Sequence, residues 1–195
     1  MTPREYIEEE QRRKEKVELM AKCWLPKGNK KLKNSLKEME PFKLCQEDVP
    51  LIIKLVENPK YDIGLFAGNV DLFTHDCIHV LLGRGLLPKD EAFVIGYTMG
   101  STRKMKRWRR NLFMLCAKYL YPEGYSFGED ERFVFNMGVM TGSLCESDLS
   151  KVDFNNYLDL SISQIRGILK VDKGLLNHCY AIEKRSFDSA ESQRL

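Results

Sequence analysis

Two of the three histidines in the chain stand four residues apart, in Thr74-His75-Asp76-Cys77-Ile78-His79. If this stretch is helical, residues at that spacing share a face and both imidazoles enter one volume. That is how a helix offers two nitrogen ligands to one metal ion. The competing reading is a helix carrying two ordinary polar histidines. Asp76 adjoins the first histidine, and Glu91 lies beyond the second. Cys77 is inside the motif, but on a helix it points about 100° away from each adjacent residue, so it reads as packing.

The turn between His79 and Glu91 decides what the carboxylate can do. The run Ile78-His79-Val80-Leu81-Leu82 is apolar on most sides and predicts a buried helix end. Gly83-Arg84-Gly85-Leu86-Leu87-Pro88 predicts its stop and the connection, and Pro88 suits the first turn of a second helix. A tight helix-turn-helix would bring Glu91 back beside His79 to close a two-histidine, carboxylate site. Asp76 would then be a further ligand or an outer acceptor that orients an imidazole. Glu91 also has a plainer explanation, since the helix dipole favours acidic residues in any first turn.

His75-Asp76-Cys77-Ile78-His79, eleven residues, then Glu91 resembles the HDxxH-x11-E metal motif of the ubiquinone (coenzyme Q) biosynthesis protein family. Val80-Leu81-Leu82-Gly83 is similar to the apolar run and glycine that commonly follow the family's second histidine. The likeness covers residues 60–100 and departs from the family pattern at Asp90, where a glycine usually precedes the glutamate. The resemblance implies that His75, Asp76, His79 and Glu91 are metal ligands. It also implies an all-helical fold, a single divalent metal and a groove for a polyprenyl lipid. The implied role is C1 decarboxylation and hydroxylation of quinone precursors, or organisation of the enzymes that make them.

Two rival metal chemistries fit less well. HD phosphohydrolases need a further histidine well before the His-Asp doublet, and no histidine precedes His75. Zincin-type proteases place a glutamate as general base directly after the first histidine, where this chain has the shorter Asp76. With histidine and carboxylate ligands together, ligand type admits Zn, Fe, Mn or Co.

The elements that must position these groups read as helices nearly throughout, so the expected fold is all-α, a single-domain helical bundle. Residues 4–24 carry opposite charges at i,i+4, as in Glu8-Arg12, Glu9-Arg13 and Glu10-Lys14, and predict a solvated helical arm. We therefore expect three parts: residues 1–40 as charged arm or linker, 41–185 as the metal-binding domain, and 186–195 as a disordered tail. Val49-Pro50-Leu51-Ile52-Ile53-Lys54-Leu55-Val56 is the expected first buried helix of the domain, and Tyr157–Leu169 an amphipathic helix near its end. His178, with no carboxylate pattern around it, reads as structural.

Glycines four apart recur at Gly96 and Gly100 and again at Gly138 and Gly142. Such notches admit another helix, the more frequent use, or the wall of an apolar tunnel. Between them lies the strongest basic cluster: Arg103, Lys104, Lys106, Arg107, Arg109 and Arg110, with Trp108. A solvated helix face is the plain reading. Phosphate or membrane contact through Arg103, Lys104, Arg107 and Arg110 comes next, because Trp beside arginines suits an interface. Nucleic acid is a poor fit, since one aromatic makes no stacking platform.

Composition bounds the rest. The length of 195 residues and 43% hydrophobic content suit one globular domain, and a formal charge of +3 names no partner. Six scattered cysteines without a CxxC pair suggest thiols in a reducing compartment. There is no signal-peptide core and no run of apolar residues long enough to span a bilayer, so we expect a cytoplasmic protein, with peripheral membrane contact open. The expected function is a ubiquinone-biosynthesis-like metal protein, a lyase or oxygenase if an enzyme. It would act on a polyprenylated aromatic precursor, alone, as a homo-oligomer or with other proteins of quinone synthesis. The alternative is a non-catalytic helical lipid- or partner-binding module.

Overall fold

The computed structural model describes residues 25–26, 28–42, 68, 70–104, 106–119 and 127–195. The expected arm over residues 4–24 and the expected helix at 49–56 lie outside them. Among the described residues the chain is all-α, with eight α-helices and no strand. These are α1 (Leu32–Met39), α2 (Leu72–Leu82), α3 (Pro88–Ser101), α4 (Arg107–Tyr119), α5 (Glu129–Ser143), α6 (Ile162–Leu169), α7 (Lys173–Ser186) and α8 (Ala190–Gln193).

The centre of the fold is the α3–α5 pair, and the four notch glycines explain its closeness. A Cβ on Gly96 would strike the Phe135 carbonyl and one on Gly100 the Val139 carbonyl. Reciprocally, a Cβ on Gly138 would sit 2.5 Å from the Phe93 oxygen, and one on Gly142 would strike the Tyr97 backbone. Real Cβ contacts do not come within 3.0 Å, so the two backbones touch where side chains would normally stand. Contact positions advance in the same direction along both helices, which makes the pair parallel. The glycines therefore face each other's backbone, and they do not line an apolar tunnel.

α2 packs beside this pair with Cys77, Ile78, Val80, Leu81 and Leu82 all in the core, which is why its sequence is apolar nearly all round. The sequence boundary at residue 40 is not where the structure draws it. Leu32 and Met39 of α1 are buried in the same core, and α1 packs on α2. Backbone bonds from Leu32 N to Leu160 O (3.0 Å) and Ile162 N to Lys30 O (3.0 Å) stitch the start of α1 to the segment before α6. The lysines that suggested a linker occupy only the outer face.

The expected helix over 157–169 begins later. Phe154–Tyr157 is a 3-10 turn, and Ser161 caps α6 by accepting from Gln164 N. Gln164 returns the bond to Ser161 N (3.0 Å), a capping box spelled by Ser161-Ile162-Ser163-Gln164. The tail beyond Ser186 is also structured, against expectation. Ser189 caps α8, and Gln193 holds the Lys184 and Phe187 carbonyls at 2.8 and 3.0 Å.

Candidate metal centre

α2 starts at Asp71, whose carboxylate accepts from Thr74 N at 2.7 Å, and stops at Gly83, which takes the left-handed conformation (φ 79°). Gly83 N and Arg84 N both return to the His79 carbonyl at 3.0 Å, closing the helix in the manner of a Schellman turn. α3 opens with Pro88 at its first position, and Leu87 N donates to Asp90 Oδ2 at 3.1 Å. These two caps set the short hairpin that brings Glu91, in the first turn of α3, against the face of α2 that carries His75 and His79.

The result is a tight triad. His75 Nε2 lies 2.9 Å from His79 Nε2 and 3.0 Å from Glu91 Oε2, and His79 Nε2 lies 3.3 Å from Glu91 Oε1. The two rings meet edge to face with centroids 4.6 Å apart. Exposure is graded: the His79 side chain is 0% exposed, His75 16% and Glu91 30%. The site is therefore rooted in the core and open at its carboxylate edge.

The placement of donors and acceptors makes this triad able to hold a cation. His79 Nδ1 stands 2.6 Å from the Gly85 carbonyl, which can only accept, so Nδ1 carries the proton and Nε2 presents its lone pair when the ring is neutral. Glu91 is an acceptor too. Burial by itself would raise the Glu91 carboxyl, but whenever the His79 and His75 rings are positively charged, their attraction and their hydrogen bonds outweigh it and hold it well below the usual carboxylate range. One shared proton on His75 Nε2 would serve only part of this set; a cation serves all three. The spacings approach the roughly 3.3 Å expected between donors that share a tetrahedral ion at about 2.0–2.1 Å. His75, His79 and Glu91 can together hold a metal ion.

Asp76, a ligand by resemblance, does not join the group of donor atoms that lie within 4.8 Å of one another. It is half-buried and starts about a quarter-turn further round α2. Cys77 is wholly buried in the core, as its angular position predicts. His178 is exposed on α7, its Nδ1 2.7 Å from the Gly174 carbonyl.

The basic cluster is divided. Arg103 follows α3 in the left-handed region (φ 55°), and its Nη2 donates to the Cys145 carbonyl at 2.8 Å, so it fastens the end of α5. Lys104, Lys106 and Arg107 are exposed. Arg110 is half-buried and lines a cleft of about 340 Å³ with Met114, Phe127, Glu129 and Arg132. None of the triad residues borders that cleft.

The sequence reading did not find the buried charges behind the triad. Arg84 is 0% exposed, with Nη2 2.7 Å from Glu183 Oε2 and Nη1 3.6 Å from Asp90 Oδ1. Its guanidinium lies 4.1 Å from the Phe93 ring centre and 4.6 Å from that of Tyr180, whose hydroxyl donates to the Leu82 carbonyl. Asp90 also pairs with Arg194. The available signal was an arginine between two glycines inside an apolar run. Its two acidic partners, Asp90 and Glu183, could not be paired with it from spacing.

No protein-family model, curated protein or solved structure matches the chain. Among the described residues, no helix is long and apolar enough to cross a membrane.

Proposed function

We propose that the protein holds one divalent metal ion at His75, His79 and Glu91 and acts on, or organises the processing of, a polyprenylated aromatic quinone precursor. The observation that carries the metal part is the convergence of two imidazole Nε2 atoms and a carboxylate, with His79 fixed in the Nδ1-protonated form by Gly85. The quinone part rests on the resemblance of the His75 to Glu91 motif to the ubiquinone-biosynthesis family.

When bound, a divalent ion of this kind would supply Lewis acidity to a substrate oxygen. The chain's own contribution is orientation. Gly85 keeps the His79 lone pair aimed into the site, Glu91 supplies the negative charge that balances a cation, and the buried wall on the His79 side leaves approach from the Glu91 side. The ligand set suits Zn, Fe, Mn or Co.

The second reading is a non-catalytic lipid- or partner-binding module. Met140 and Leu144, each 68% exposed on and just after α5, favour it by giving the domain an apolar outer edge.

The deciding experiment is metal analysis by mass spectrometry on untagged protein, wild type against His79→Ala. One ion per chain, lost in the variant, supports the site and leads to an assay of turnover of a polyprenylated aromatic quinone precursor. No ion after reconstitution removes the proposal. Metal without turnover favours the binding module.

A further inference from the structure

We propose that the segment Ser189–Arg194 is a positioning latch for the triad, acting through the α2–α3 turn. As a statement about metal affinity it rests on the metal reading above; as a statement about the turn it stands on its own geometry. Glu191 Oε1 accepts from Lys89 N at 2.6 Å, at the second residue of α3 and two residues before Glu91. Arg194 pairs with Asp90, the next residue and the one that caps α3 at Leu87. Ser192 Oγ reaches Glu183 Oε1 at 3.2 Å, and Glu183 holds Arg84, which sits between Gly83 and Gly85.

The segment thus grips the turn at both ends. One grip is on the α3 start that carries Glu91. The other is on Arg84, whose neighbour Gly85 sets the His79 tautomer. Lys89 Nζ adds contacts to Ser189 Oγ (3.3 Å) and Glu191 Oε2 (3.7 Å). These partners come from about a hundred residues further along the chain and add to the holds that remain without them, Lys89 Nζ on Asp130 (3.4 Å) and Arg84 Nη1 on Asp90 (3.6 Å). Releasing the segment loosens the turn, and with it the angle between the Glu91 carboxylate and the His79 ring.

The test uses the full chain carrying Glu191→Ala and Arg194→Ala together, with Arg194→Lys as the conservative variant. In metal-free protein, imidazole nitrogen shifts measured by NMR report the His79 tautomer. The wild type and Arg194→Lys should show the Nδ1-protonated form, and the double variant a mixture of tautomers with helix content retained. Titration with Co²⁺ should then show affinity weakened by about tenfold to a hundredfold in the double variant, the range for outer partners of metal ligands. An unchanged His79 tautomer in the double variant overturns the latch. If wild type takes up no Co²⁺, the metal proposal fails while the tautomer still decides the latch. Should the double variant not fold, Arg194→Ala alone carries the same two readouts.

Discussion

Glu91 and Glu191 lie on either side of the same turn, and their surroundings push them in opposite directions. Glu91 is held below the usual carboxylate range by the two imidazoles, so its charge contributes stability above its unfolded pKa, and that contribution fades as pH falls through the depressed folded value. The stability difference between wild type and Glu91→Gln should therefore shrink and then vanish as pH falls below about 4.3, read by urea unfolding of metal-free protein. The same substitution should weaken metal binding by more than about a hundredfold, since it removes a ligand and not merely an outer partner. Glu191 is pushed up to about 7 by burial and by Asp90, against the opposing Lys89 contacts. A raised acid destabilises the folded state once ionised, so stability should fall as pH rises from about 4.5 to 7 and level off above. Glu191→Gln keeps the acceptor for Lys89 N and should flatten that slope, gaining on the order of 1–3 kcal/mol at pH 8. At this scale the triad was legible because helical spacing aligns His75 with His79 and turn chemistry returns Glu91. Asp76 stands outside the close donor group because adjacency in sequence is about a quarter-turn on a helix. The Gly85 carbonyl was invisible because a backbone acceptor carries no sequence signature.

The helices test whether glycine is used for space or merely tolerated. Gly142→Ala forces a methyl into the Tyr97 backbone and should cost about 1–3 kcal/mol, while Gly167→Ala meets open space within α6 and should stabilise by about 0.4–1 kcal/mol. Chemical denaturation of both variants checks the contrast. The ends of α2 and the start of α3 were readable because Gly83 and Pro88 are strong local stops and starts. α6 was drawn too long because the apolar pattern from Tyr157 continues through a 3-10 turn, and only the Ser161–Gln164 box marks the true start. The contacts of the α8 segment with Lys89 and Asp90 carry no local signal, because their partners stand about a hundred positions apart in the sequence.

Over the whole molecule, the basic cluster separates into residues that hold the fold and residues that face outward. Arg103→Ala removes the bond to the Cys145 carbonyl and should lower the melting temperature. Lys104→Ala with Arg107→Ala should leave melting unchanged. If the cluster meets an anionic membrane, this second pair should weaken sedimentation with phosphatidylserine vesicles and make what remains less sensitive to salt. Equal vesicle binding by wild type and that pair would remove the membrane reading of these residues. All-α character was legible from periodicity, but the domain edge at residue 40 was not, because α1 shows its lysines outward and needs only Leu32, Ser35 and Met39 to belong to the core. The interlocked glycines carry one more consequence. A helix pair whose backbones mesh has a single register, and sliding by one turn, about 5.4 Å, would drive side chains into the space the glycines leave. α3 is therefore no piston. Motion at Glu91 cannot travel as a slide of α3 along α5, and must take the form of rotation or bending at the turn that carries it.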